Sequence, residues 1–192
     1  MFSNINNIIK LLVLSDLILF AGWGLISPIF SVFIVEEIVG ATVVTAGVAS
    51  ALYWVARSVI QFPIANALDK RKGEKDDFYV LIFGLVTTGI AGLIMYFVQT
   101  PTQLYMANTF HGIAIGIYAV AWPSIFSRHM DKDKVSLDWS IDRASIGIAV
   151  AIASILGAKI ADLWGFRAVF VITGSLSLLS ALMLVNMPKW LF

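Results

Sequence analysis

Six apolar stretches, at about 8–35, 42–66, 78–98, 101–127, 140–161 and 166–187, take up nearly the whole of this 192-residue sequence. A hydrocarbon core of about 30 Å needs roughly 20 helical residues per crossing, so each stretch is long enough to span a bilayer as a helix. Strands are excluded because the runs are long and do not alternate apolar with polar residues. Composition points the same way. Charged residues are 13% of the chain and hydrophobic ones 59%, with a mean hydropathy of +0.90, whereas soluble domains are about a quarter charged. The expected fold is an all-α integral membrane protein with six transmembrane helices, and its first partner is the lipid bilayer.

Lysines and arginines set the expected orientation. With the N-terminus in the cytoplasm, the inner side holds Lys10, Lys70, Arg71, Lys72, Lys75, Arg128, Lys132, Lys134, Arg143 and Lys189. The outer side then holds Lys159 and Arg167, and Arg57 falls inside the membrane. Positive charge gathers on the cytoplasmic side of membrane proteins, so both termini are expected in the cytoplasm. The outer connections are short and leave no room for a soluble domain. Span 1 is too long for a cleavable leader and has no small-residue cleavage site, so the chain is expected to insert as written, in the plasma (inner) membrane of a prokaryote. There is no cysteine, which removes thiolate metal sites.

Landmarks recur at nearly constant offset. Ala65-Asn66-Ala67-Leu68-Asp69 leads to Gly73, and Ala158-Lys159-Ile160-Ala161-Asp162 leads to Gly165, with the aspartates 93 positions apart. Gly22 precedes Pro28-Ile29-Phe30 as Gly116 precedes Pro123-Ser124-Ile125-Phe126, at offsets of 94 and 95. Constant spacing points to a duplicated three-helix unit, about 8–98 and 101–187, within one bundle over 1–192. An odd number of crossings inverts the second copy relative to the first, a construction common in secondary transporters. Chance similarity between apolar segments that end at a loop is the alternative.

Asp69-Lys70-Arg71-Lys72-Gly73 resembles the loop between helices 2 and 3 of the major facilitator superfamily, with Ala65 where the family usually has glycine and Gly73 one position late. Gly22, Gly24 and Pro28 make span 1 similar to the family's first helix, and Gly112-Ile-Ala-Ile-Gly116 through Pro123 resembles its fourth. The most specific match is the run from Gly157 through Asp162, Gly165 and Arg167 to Phe170, which resembles the junction of helices 5 and 6. The resemblance covers the whole chain but departs in length. Family members have two six-helix bundles with substrate between them. It therefore implies a half-size transporter, rebuilt by two copies as a parallel C2 dimer or by pairing with a paralogous half.

Ionisable groups inside a bilayer are costly unless paired or wet, which singles out Asp16, Arg57 and His111. At a rise of ~1.5 Å per residue, Asp16 lies roughly 12 Å and Arg57 roughly 16 Å from the inner ends of spans 1 and 2. Adjacent antiparallel helices would bring them together, either as a structural ion pair or as a proton-operated gate. His111 lies near mid-membrane with Asn108 one turn away, and titrates near physiological pH. Helices 1 and 4 line the cavity in the family, so by resemblance His111 and Asn108 are substrate or proton ligands. Buried neutral histidines also serve simply as helix-packing groups.

Aromatic residues Phe20, Trp23, Tyr53, Trp54, Tyr118 and Trp122, with the polar Ser27 and Gln61, complete the candidate cavity wall. Such a wall suits apolar, cationic or sugar-ring compounds, with lipophilic or cationic efflux slightly favoured. Gly22, Gly24, Pro28 and Pro123 would let spans 1 and 4 bend or pack closely. In the family the loop aspartate caps a helix of the opposite bundle. The resemblance therefore implies a latch between copies in which Asp69 meets the start of span 5 near Asp138–Arg143. Arg71 would pair with Asp138 or Asp142, and Arg143 with Asp69.

No phosphate-binding glycine loop, metal-ligand cluster or nucleophile triad is visible, since Gly22-x-Gly24 lies inside a membrane helix. No enzyme activity, cofactor, metal or nucleic-acid partner is expected. The expected function is a half-size secondary active transporter of a small organic solute, a parallel homodimer working by alternating access and coupled to protons. The alternatives are one half of a heterodimeric transporter, or a non-transporting membrane protein that binds and regulates another.

Overall fold

The structure, a computed structural model, describes residues 6–70, 73–130 and 133–185. Among these residues there are seven α-helices and no strand: α1 (Asn7–Ile26), α2 (Phe30–Glu37), α3 (Val43–Asp69), α4 (Lys75–Met95), α5 (Pro101–His129), α6 (Val135–Trp164) and α7 (Phe166–Val185). Helices α1 and α2 make one span over Asn7–Glu37, and the others make one each, so six segments are long and apolar enough to cross a membrane.

Local chemistry explains the ends. Thr42 and Thr100 cap α3 and α5 through reciprocal bonds with Thr45 and Gln103, which satisfy amide groups that a helix start leaves orphaned. Gly165 alone separates α6 from α7, at φ +80°, a conformation that side-chain-bearing residues rarely adopt. Pro28 lies in the 3₁₀ turn Ser27–Ile29 that divides α1 from α2, because its ring and missing N–H interrupt the ladder. Pro123, expected to loosen span 4, instead lies within an unbroken α5, as Pro63 does within α3.

Helix α1 packs on α6 and α7, α5 packs on α3 and α4, and α4 packs on α7. Exchanging the first three spans for the last three returns the same set of pairs. The close approaches are made at glycine, as expected where lipid and core are equally apolar and packing itself drives association. A Cβ at Gly157 would run into the Leu25 carbonyl oxygen, and one at Gly112 into that of Tyr53. A Cβ at Gly92 would stand 2.9 Å from the Gly174 Cα.

Two apolar clusters result. One, around Leu12, Leu81, Leu85, Trp122 and Phe126, lies toward the end that carries the chain termini. The other, around Phe33, Ile34, Leu104, Val169 and Phe170, lies toward the opposite end. The helices are unevenly covered. The most apolar window of α5 is 61% buried, while those of α3 and α6 are 11% buried. The two helices α3 and α6 flank the bundle without packing on each other.

Candidate functional site

A cavity of about 420 Å³ is lined by α1, α3 and α5, with Ser27, Phe30, Met95 and Val150 at its margins. Its volume is within the range of small-molecule sites. Phe20 and Trp23 come from α1, Tyr53, Trp54 and Arg57 from α3, and Asn108 and His111 from α5. The Trp23 indole and His111 imidazole stack face to face, centroids 3.7 Å apart and planes 12° from parallel. Tyr53 leans on the same imidazole at 4.9 Å. The imidazole is thus packed against both rings. The imidazole is buried, and its Nε2 has no hydrogen-bond partner among the described residues. Asn108 is held by its amide donating to the Leu104 carbonyl at 3.4 Å.

Arg57 is the one lysine, arginine, aspartate or glutamate of this lining. One guanidinium N–H donates to the Tyr53 hydroxyl at 3.4 Å, and the group lies over the Trp54 ring at 4.9 Å. Both partners are on its own helix, within one turn. No carboxylate of a described residue lies within ion-pair distance of it. The site therefore combines an uncompensated cation with aromatic faces at the middle of a membrane helix.

A second feature lies nearer the termini. Asp16 of α1 and Asp142 of α6 are both buried, and each is close enough to feel the other's charge. Asp142 has Arg143 Nε at 3.5 Å. Asp16 Oδ1 and both Asp142 oxygens find no hydrogen-bond donor among the described residues. Around this pair α1 is tied down by bonds to its carbonyl oxygens: Ser180 Oγ to Ser15 at 2.7 Å, Thr173 Oγ1 to Gly22 at 2.8 Å and Trp122 Nε1 to Leu12 at 3.4 Å.

A bundle of spanning helices beside a largely aromatic cavity that holds a few polar groups is a transporter-like arrangement, and comparison with known proteins decides the family. The sequence model of the Major Facilitator Superfamily matches residues 12–189. The chain belongs to the Major Facilitator Superfamily. Among its relatives, an uncharacterised MFS-type transporter of Methanocaldococcus jannaschii is 25% identical over 84% of this chain and 40% of its own length. The multidrug resistance protein MdtG of Dickeya zeae is 24% identical over 91% of this chain and 42% of its own. MdtG of Escherichia coli is 27% identical over 88% and 41% respectively. The chain thus spans about 40% of the length of these relatives.

In this superfamily chain the expected cavity residues divide. Phe20, Trp23, Ser27, Tyr53, Trp54 and Asn108 line the cavity, together with Arg57 and His111. Tyr118 and Trp122 do not, because their face of α5 meets α1 and α4. Tyr118 is edge-on to Phe20 at 6.2 Å, and Trp122 stacks on Phe126 at 4.5 Å in the core. Gln61, one turn beyond Arg57 toward Asp69, also lies outside the lining.

The pairing of Asp16 with Arg57 is corrected. Helices α1 and α3 do not pack on each other, and α6 is the neighbour that meets Asp16.

Of the residues expected in the latch, Asp138 and Asp142 are enclosed by their own bundle at 2% and 0% exposure, since α6 begins at Val135 and both sit on its inward face. Arg143 is exposed and lies over the Trp139 ring. Asp69 is exposed at the last residue of α3. Arg71 lies outside the described residues.

A further polar cluster escaped the sequence reading. Asp77, in the first turn of α4, is buried against Arg128 of α5, with Arg128 Nη1 at 2.5 Å. Ser124 Oγ donates to the same carboxylate at 3.2 Å, and Arg128 Nη2 donates to Ser124 Oγ at 2.8 Å. His129 Nε2 stands 3.5 Å from Glu74. A carboxylate at a helix start and a cation at a helix end each oppose the local dipole. The available signal was the Ser124-x-x-x-Arg128 spacing, which puts both side chains on one helix face.

Proposed function

We propose that this chain is a six-helix half of a secondary active transporter that moves a small organic solute by alternating access. A second six-helix bundle covers the face flanked by α3 and α6, and that bundle is a parallel second copy of the same chain. Both termini are cytoplasmic. The observation that carries the reading is Arg57 in a cavity otherwise lined mainly by aromatic and apolar side chains. A guanidinium at mid-membrane is tolerated where it faces protein or water, yet its helix is one of the two least covered by the bundle. A second bundle over that face would enclose the cavity away from lipid. The matching sets of helix pairs under exchange of the two halves support an inverted duplication, the architecture that lets a transporter rock about a central site.

Coupling to protons runs through Asp16 and Asp142. Two facing carboxyl groups in a desolvated helix contact hold together through a shared proton and repel when both are charged. Their protonation state would then bias how tightly α1 closes on α6. His111 acts here as part of the cavity wall.

The absence of cysteine makes a direct test simple. Val55 on α3 and Ile152 on α6 are both exposed, and at ~1.5 Å per residue Val55 lies about 18 Å from the start of α3 and Ile152 about 18 Å from the end of α6, the ends expected on the same side of the membrane. Differently tagged Val55→Cys and Ile152→Cys chains should form a mixed cross-linked dimer in lipid vesicles. Phe83→Cys on α4 should not cross-link with either. Equal cross-linking of all three positions, or none, would contradict the homodimer.

A further inference from the structure

The buried carboxyl pair and the cavity guanidinium are kept apart. The carboxyl groups of Asp16 and Asp142 are shut in the α1–α6 contact, outside the cavity lining. Arg57 is left in the cavity with no carboxylate within ion-pair distance. Its neighbours there bring no negative charge of their own: Tyr53, Trp54, His111 and Asn108 are neutral or aromatic. We propose that the cavity binds a planar aromatic organic anion, with Arg57 taking the carboxylate, sulfonate or phosphonate group and the Trp23–His111 wall taking the ring. This rests on the transport reading for the role of the cavity and names its substrate class.

Three features make the site fit that ligand. A guanidinium is planar and presents paired donors that match the oxygens of such anions. The Tyr53 hydroxyl and the Trp54 face hold it on the cavity side of α3 and occupy one of its N–H groups, leaving others for a ligand. The stacked Trp23 and His111 rings provide an aromatic face in the same lining, against which a flat ring stacks favourably. A cationic compound would meet the aromatic faces but also the like charge of Arg57. Of the lipophilic or cationic compounds that the aromatic residues alone slightly favour, the cationic ones are the poorer fit once Arg57 shares their cavity.

Three probes of one shape and fixed charge separate the possibilities: naphthalene-2-sulfonate, 2-naphthylmethanol and 2-naphthylmethyl-trimethylammonium. Calorimetric titration of the full chain in lipid nanodiscs, with empty discs subtracted, should show the sulfonate binding at least tenfold more tightly than the other two. Arg57→Gln should bring all three within threefold of one another. Arg57→Lys, which keeps the charge and guards against a folding defect, should retain the preference for the anion. Equal affinities in the unsubstituted chain, tighter binding of the cation, no binding of any probe, or an anion preference that survives Arg57→Gln would each overturn the proposal. Selective sulfonate binding without flux into vesicles would sustain the anion site and remove the transport reading. Flux of the ammonium probe alone would do the reverse.

Discussion

The α1–α6 and α3–α5 contacts are built alike and loaded with opposite charge. In each, a glycine on one helix lets the backbone of the other come close: Gly157 against Leu25, and Gly112 against Tyr53. The first contact is dry and holds the carboxyl groups of Asp16 and Asp142. The second borders the cavity and carries Arg57 beside His111. Similar packing therefore does not imply similar chemistry. What differs is whether a neighbouring helix closes over the polar groups. Ser180, Thr173 and Trp122 bond the α1 carbonyls on one side, whereas Arg57 of α3 opens onto the cavity on the other.

The largest effect should come from removing the close approach itself. Gly157→Ala and Gly112→Ala should each lower stability by about 1–3 kcal/mol, the usual cost of forcing extra volume into a packed contact. Gly147→Ala, where a Cβ would meet nothing within 4 Å, should stay within about 0.5 kcal/mol. Thermal unfolding in detergent reads all three, and a Gly157→Ala protein as stable as Gly147→Ala would break the comparison at its base.

Next in size is the carboxyl pair. Asp16→Asn and Asp142→Asn should be non-additive, with a coupling of about 0.5–3 kcal/mol, as befits groups in one contact. Additive effects would mean that the two acids do not sense each other. Arg57→Gln should cost the anion probe about tenfold in affinity, roughly 1.4 kcal/mol, with little change in the unfolding midpoint. The smallest expected change is at the Asp77–Arg128 clamp. Because Arg128 is 42% exposed, water screens much of the pair, and Arg128→Gln should cost only about 1 kcal/mol or less.

The comparison also shows what the sequence could carry. The six spans follow from length and hydropathy, and Pro28 marks the division between α1 and α2. Arg57 and His111, singled out as ionisable groups inside the membrane, do share a cavity with the expected wall residue Trp23. Facing directions are less legible. A membrane helix is apolar toward lipid and toward its neighbours, so periodicity says little about which side is which. That is why Tyr118 and Trp122 were assigned to the cavity although they pack in the core.

Helix starts were the other weak point. Taking span 5 to begin near residue 140 put Asp138 and Asp142 at the helix start, open to a second copy, whereas α6 starts at Val135 and buries both. Likewise α4 starts at Lys75, so Asp77 is a buried helical residue rather than part of a solvated turn. Polar first turns lower the hydropathy that marks a span, and these helices are longer than their apolar cores.

The most direct test of the whole account is flux of naphthalene-2-sulfonate across vesicles that contain only this chain, under an imposed pH gradient. Gradient-dependent movement is predicted for the unsubstituted chain, with loss of the gradient's effect in Asp16→Asn and in Asp142→Asn. Movement no faster than in protein-free vesicles, or a full response to the gradient in both variants, would contradict it.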